Sequence, residues 1–247
     1  MILNDWPKIK ILNMYFHSFR ASEFINELVD RIKISKKTYI VTANPEIVMY
    51  AEKDEEYKKC VDQADYVIAD GTGVILGSKI LGTSLPERIA GFDLMCSLLE
   101  IGSREGWSAY FLGAKEEVVT KALANVKDIY SGLTIAGYHN GYFKDSDSDS
   151  IVDEIIMKSP DLIFVALGFP RQEMWICENS KVFKKGLFMG VGGSFDVLAG
   201  TVKRAPVFWQ KMNLEWFYRL IQEPKRWRRM LVLPLFVIEV LKKRGKR

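Results

Sequence analysis

The residues best suited to chemistry in this 247-residue chain fall just beyond short apolar runs. Tyr66-Val-Ile-Ala69 has the continuous apolar character of a strand covered on both faces. It ends on Asp70, followed by Gly71-Thr72-Gly73 and a helical-looking segment to Leu81. A carboxylate at the carboxyl end of a parallel strand, beside glycines that let a ligand approach the backbone, is placed to act as a base. Capping of the next helix is the structural alternative. The same placement recurs at Thr42 and Asn44, at Gln172 and at Asp196, and Arg88 lies in the loop after the Asp70 unit. Each alone reads as a cap or turn residue. Together at one sheet edge they describe a site for a polar ligand.

Other chemistries find little support. His17 and His139 are the two histidines, and neither has metal or triad spacing. No Gly-x-Ser-x-Gly and no P-loop occurs. Gly190-Val-Gly-Gly193 follows a strand but is not a dinucleotide fingerprint, because position 195 is Phe. The amides of Gly192 and Gly193 could still face a diphosphate, with a plain tight turn as the alternative. Asp145-x-Asp147 sits in a Ser/Asp run before a helix, a setting that favours a solvated capped loop over a metal pair. No metal site is therefore expected. The cysteines, Cys60, Cys96 and Cys177, are odd in number and far apart, which argues against a disulfide framework or a thiolate zinc site.

The elements that must position these residues alternate. Lys8–Phe16 reads as a first strand, Ser22–Ile34 as an amphipathic helix and Thr38–Thr42 as a strand. Asn44-Pro45 then opens a helical segment to about Gln63, with Asn44 as N-cap and Pro45 as first helical residue. Further strands are expected at Ser108–Leu112, Leu133–Tyr138 and Asp161–Leu167, each followed by a turn or loop and a helix, and a last one at Gly186–Met189 that enters the glycine-rich stretch Gly190–Asp196. This spacing predicts an α/β fold with a Rossmann-like, mainly parallel sheet covered by helices, spanning residues 1–200.

From Pro206 the pattern becomes helical: one helix to Glu223, rich in Trp209, Trp216, Phe217 and Tyr218, and another from Pro224. Residues 201–247 carry 13 Lys+Arg against three acids, a net +10, so residues 1–200 hold 22 against 28, a net −6. The apolar run Met230–Ile238 is too short for the roughly 20 residues that span a bilayer, and Pro234 lies inside it. A short, basic, Trp-bearing apolar segment fits a helix lying on an anionic membrane surface. Nucleic-acid binding or an oligomer contact are the competing readings, and the apolar run favours the membrane over nucleic acid. The start has no basic region leading into an apolar one, so no signal peptide is expected and a cytoplasmic location is the default.

Five blocks give these residues a context: Thr42-Ala-Asn44-Pro-Glu; Asp65-x5-Asp70-Gly-x-Gly73; Glu87-Arg88-Ile-Ala-Gly91-x-Asp93; Gly168-x-Pro170-x-Gln172-Glu173; and Gly190-Val-Gly-Gly-x-Phe-Asp196, continuing to Gly200 and Arg204-Ala-Pro206. Occurring in this order, and with Glu215-Trp216-x-Tyr218-Arg219 beyond them, they resemble the WecG/TagA/CpsF family of bacterial glycosyltransferases. The resemblance implies transfer of an N-acetylmannosamine-type sugar from a UDP donor to a lipid-diphosphate-linked N-acetylglucosamine. The setting would be peripheral, on the cytoplasmic face of the membrane. Its TagA-like branch, which makes the linkage unit of wall teichoic acid, is the preferred reading. Uronic-acid donors and capsule or common-antigen pathways belong to other branches.

In an inverting transfer a base takes the acceptor hydroxyl proton while UDP leaves from the opposite face. With no histidine well placed, Asp70 is the expected base and Asp93 the runner-up. Thr42, Asn44 and Gln172 would orient sugar groups, and Asp196 would accept from ribose or uracil with the Gly192 and Gly193 amides nearby. Arg88 would meet the leaving diphosphate without a metal. Arg219, Arg226 and Arg229 would either reach a diphosphate from the folded-over tail or serve only lipid headgroups. Two other classes stay open: a non-catalytic nucleotide-sugar-binding protein docked on the membrane, and a nucleic-acid module. Neither would need Asp70, and no nucleic-acid partner is expected. Self-association is left open.

Overall fold

The computed structural model describes residues 5–212, 214–222, 224 and 227–245. Six parallel strands form the central sheet: β3 (Thr38–Ala43), β4 (Tyr66–Ala69), β5 (Ser108–Gly113), β6 (Thr134–His139), β7 (Leu162–Ala166) and β8 (Leu187–Gly190). Their spatial order is β4-β3-β8-β7-β5-β6. The α/β, Rossmann-like expectation holds. β3, β7 and β8 are buried at every position, as strands covered on both faces must be. Alternate residues feed two apolar cores: Val41 and Val165 pack on one face, and Ile40 and Phe164 on the other.

The helices decide where a crevice opens. α2 (Pro45–Ala51), following β3, packs in the first core through Ile47 and Val48. α9 (Ser194–Leu198), following the neighbouring strand β8, packs in the second core through Phe195. Adjacent strands whose helices leave to opposite faces create the switch point at which open α/β sheets bind ligands.

Several boundaries differ from expectation. Lys8–Phe16 is a hairpin, β1 (Lys8–Ile11) against β2 (Met14–His17), turning at Leu12 with φ of 54°. The segment after Asn44 breaks into α2 and α3 (Glu55–Asp62), because Asp54 accepts from the Tyr57 amide at 2.9 Å and caps a new helix. The helix expected over Pro206–Glu223 is divided into α10 (Val207–Lys211) and α11 (Glu215–Gln222). The segment from Pro224 forms α12 (Trp227–Met230) and α13 (Val232–Arg244). Pro234 falls in the first turn of α13, where its missing N–H costs no helical bond.

The cysteines overturn an expectation. Cys60 of α3 and Cys177 of α8 (Arg171–Asn179) form a disulfide across a sequence separation of 117, leaving Cys96 free. The wide sequence spacing argued against a disulfide because the pair is created only in space, by α3 packing on α8.

The last helix belongs to the body's packing. Phe236 and Val240 are fully buried in the core that also holds Val41 and Val74. They lie over α4 (Thr72–Ile80), where a Cβ on Gly77 would meet the Phe236 ring at 2.9 Å. Among the described residues, no helix is long and apolar enough to cross a membrane.

Candidate active site

A cleft of about 230 Å³ opens at the carboxyl ends of β4, β3 and β8, walled on its outer side by residues of α11, α12 and α13. Thr42, Asn44, Asp70, Arg88, Gly193 and Arg229 all line it, so the structure gathers most of the sequence-predicted set.

Asp70 follows β4 directly, and its amide bonds to the Ala43 carbonyl at 3.0 Å, extending the strand pairing to the cleft rim. One carboxylate oxygen accepts from the Gly91 amide at 3.2 Å. The glycines beside it do something other than admit a ligand. A Cβ on Gly71 or on Gly73 would sit 2.7 Å from the Pro45 ring, so both are needed for α4 to pack on the start of α2. Gly91 likewise permits a close approach, since a Cβ there would lie 3.2 Å from Thr42.

Arg88 is held by acids on two sides. Its Nε donates to the Asp70 carbonyl, its Nη2 lies 3.6 Å from Asp70 Oδ1, and its Nη1 lies 2.6 Å from Glu215 Oε2. Glu215, 12% exposed, also faces Arg204 Nε at 3.5 Å. Arg204 in turn donates to Asp93 at 2.8 Å and lies over the Phe92 ring. Asp93 is thus tied to Arg204, and it is not a lining residue of the cleft. Arg229 forms a bidentate pair with Glu46 at 2.7 and 2.8 Å, bridging α12 to α2 across the cleft.

Thr42 is buried and donates its hydroxyl proton to the Gly190 carbonyl at 3.1 Å, joining β3 to β8 at the cleft floor. Asn44 caps α2 by accepting from the Ile47 amide at 3.1 Å, as expected, so its Nδ2 is the group it presents to a ligand. Gln172 lies beneath the cleft rather than in it: it is buried, accepts from the Gly192 amide at 3.0 Å and donates to Glu173 at 2.6 Å. It therefore fixes the Gly190–Gly193 turn, where Gly192 has φ of 51°. Gly192 and Asp196 do not line the cleft, and Asp196 Oδ2 lies 3.8 Å from where a Cβ on Gly193 would be. Arg219 belongs to α11, and its side chain lies outside what the structure describes. Arg226 lies outside the described residues.

Glu173 is the buried acid of the region, 1% exposed, and burial pushes its carboxyl up to about 7. Its Oε2 and the facing Tyr57 hydroxyl make no hydrogen bond of normal geometry. Asp145 and Asp147 form a short 3-10 turn away from the cleft lining, with Asp147 accepting from the Lys144 amide at 3.2 Å. Among the described residues, no group of three or more His, Cys, Asp and Glu is assembled as metal ligands.

Residues 9–247 match the Glycosyl transferase WecG/TagA/CpsF family. The chain belongs to this family. Relatives within it share much of its length. A Bacillus spizizenii protein is 44% identical over 208 residues, covering 84% of this chain and 80% of its own. A Bacillus subtilis protein is 40% identical, with 94% and 90% covered, and a Staphylococcus aureus protein is 39% identical, with 98% and 96% covered. All three are named N-acetylglucosaminyldiphosphoundecaprenol N-acetyl-beta-D-mannosaminyltransferase.

Family membership gives the cleft geometry its chemical meaning: one carboxylate on the sheet edge, arginines around it, and a wall contributed by the basic end of the chain. Glu46, Arg204, Glu215 and Trp216 line the cleft but were not singled out as site residues from sequence. The signal for Glu215 was present, since it opens an acidic-aromatic block in an otherwise basic region. Its partner Arg88, 127 residues earlier, could not be inferred from spacing.

Proposed function

We propose that this protein transfers N-acetylmannosamine from UDP-N-acetylmannosamine to N-acetylglucosaminyl-diphospho-undecaprenol, with inversion, at the cytoplasmic face of the membrane. The product would be the linkage unit of wall teichoic acid. The observation that carries the reading is the placement of Asp70: a carboxylate on the rim of the switch-point cleft, beside Arg88, in a chain whose relatives bear this transferase's name. The acceptor hydroxyl oxygen bonds to C1 of the donor sugar as its proton passes to the Asp70 carboxylate. The C1–O bond to the β-phosphate breaks, and UDP departs with the electron pair. Arg88, Arg204 and Arg229 stand around the cleft to receive the growing phosphate charge.

Nothing in this scheme requires a bound metal ion, and metal independence is part of the proposal. The basic C-terminal helices would hold the enzyme on anionic lipid, where the acceptor resides. Exposed Trp227, Leu231, Leu235 and Ile238 support that docking, as do the basic residues closing α13.

The test is acceptor-dependent UDP release in EDTA, comparing wild type with Asp70→Asn. Turnover in wild type, a loss of about 10²–10⁴-fold in the variant and intact UDP binding are the expected results. Full activity in the variant would remove Asp70 as base. Activity that returns only on adding a divalent ion would overturn the metal-independent reading.

A further inference from the structure

Beside the cleft runs a second depression, of about 530 Å³, between α4 and α13. Ile75 and Leu76 line it from one helix and Leu233 and Val237 from the other, together with Trp216 and Lys79. Thr72, Ile75, Leu76 and Lys79 recur at i, i+3, i+4 and i+7 along α4, and Leu233 and Val237 at i, i+4 along α13, so each set lies on one face of its helix. The two helices approach closely where Gly77 leaves room for the Phe236 ring. The groove and the cleft share Thr72, Gly73, Arg88, Trp216 and Leu233, so the apolar channel opens into the site at the arginine beside Asp70.

We propose that this groove binds the first isoprene units of the acceptor's own lipid chain. The inference rests on the transferase reading above and adds to it a binding site for the part of the acceptor that does not react. From Thr72 to Lys79 the helix rises roughly 10 Å, the length of about two isoprene units. The backbone groups of both helices are spent within the helices, so the walls offer a branched hydrocarbon apolar contact and little else. Lys79 is exposed and can lay its stem along the groove while keeping its ammonium in water. A diphosphate attached to that hydrocarbon would then fall at Arg88, with the sugar beyond it at Asp70. A lipid chain held here would draw the acceptor out of the bilayer by its first units, rather than leave it to diffuse to the cleft.

The experiment removes the bilayer. Soluble acceptors carrying N-acetylglucosaminyl diphosphate on a methyl, geranyl or farnesyl group are compared in buffer without detergent or vesicles. The geranyl acceptor is expected to exceed the methyl acceptor in kcat/KM by about 10-fold or more, with less than about 3-fold further gain from farnesyl. Leu76→Glu and Val237→Asp, one on each wall, should bring the geranyl-to-methyl ratio close to one. A wild-type ratio near one, or a ratio unchanged in both variants, overturns the groove and assigns the lipid's role to the membrane alone. Failure of wild type on every acceptor would instead overturn the transferase reading. The groove is then judged by binding of geranyl diphosphate against methyl diphosphate, read by calorimetry. Tighter binding of geranyl diphosphate, lost in the same variants, supports it, and equal binding of the two overturns it.

Discussion

At the scale of single residues, the site is an arrangement of opposed charges. Arg88 touches Asp70 on one side and Glu215 on the other, and Glu215 also faces Arg204. A guanidinium suits this position because its planar fork can serve two carboxylates and still present an edge to a phosphate, which a lysine ammonium cannot do. Arg88→Ala should lower kcat by about 10²-fold or more, the scale of losing a positioned donor to developing charge. Arg88→Lys should recover less than about 10-fold of that loss. Both are read by UDP release, with UDP binding measured separately. A lysine variant of near wild-type rate would mean that charge alone matters at this position. Asp70, Asn44 and Arg88 were legible in the sequence because each follows a strand end or its loop. Gln172 was legible as a residue but not as a part. It lies beyond the end of β7 as expected, yet its side chain turns inward to hold the Gly192 amide. Spacing places a residue at an edge; it does not say whether the side chain faces the ligand or supports the loop that does.

Among elements, α8 shows how the buried interior reaches the cleft. It carries Gln172 under the glycine turn, Glu173 against Tyr57 of α3 and Cys177 bonded to Cys60 of α3. The parallel sheet and its helices were readable from alternating apolar runs, because each strand is short, continuous and bounded by turn residues. The division between α2 and α3, that between α10 and α11 and the hairpin at Leu12 were not, since the apolar pattern runs on through all three; at Asp54 a local cap interrupts it and at Leu12 a turn does. Glu173 makes a pH-dependent prediction. Its folded-state value of about 7 lies above its ordinary 4.5, so the fold favours the neutral acid. This contribution is complete below pH 4.5 and is lost as pH rises through about 7, amounting to roughly 3 kcal/mol across that window. The facing groups, Tyr39 and Tyr57, are both pushed upward by burial and stay neutral there. Denaturant midpoints at pH 5 and pH 8 should therefore differ more in wild type than in Glu173→Gln. Equal differences would show that Glu173 does not titrate in this range. The contact of α4 with α13 makes a steric prediction as well. Gly77→Leu should destabilise by about 1–3 kcal/mol through overpacking against Phe236, measured as a fall in the denaturant midpoint.

Over the whole molecule, the charge asymmetry separated a mildly acidic body from a basic end but did not show that the end is built into the site. Phe236 and Val240 lie in the body's core, while Glu215, Trp216 and Arg229 wall the cleft. Deleting residues 201–247 would therefore remove a packed helix as well as cleft residues, and loss of activity on deletion cannot separate the two. A single substitution can. Arg229 pairs with Glu46 at the cleft wall, on a helix whose Trp227 is exposed and suited to lipid. If Arg229 serves only headgroups, Arg229→Ala should weaken binding to anionic vesicles by about 5-fold, the value of roughly 1 kcal/mol per basic residue. Turnover of a soluble short-chain acceptor would then stay at the wild-type level. If Arg229 serves the reaction, that turnover should fall in the absence of any membrane. The bidentate geometry favours the second outcome: a guanidinium already oriented by a carboxylate at the cleft wall needs only a small shift to meet a diphosphate. We expect at least a 10-fold loss of kcat/KM on the soluble acceptor, with vesicle binding changed by no more than about 5-fold. Unchanged turnover together with weakened vesicle binding would return Arg229 to the membrane surface and leave Arg88 and Arg204 to meet the departing phosphate.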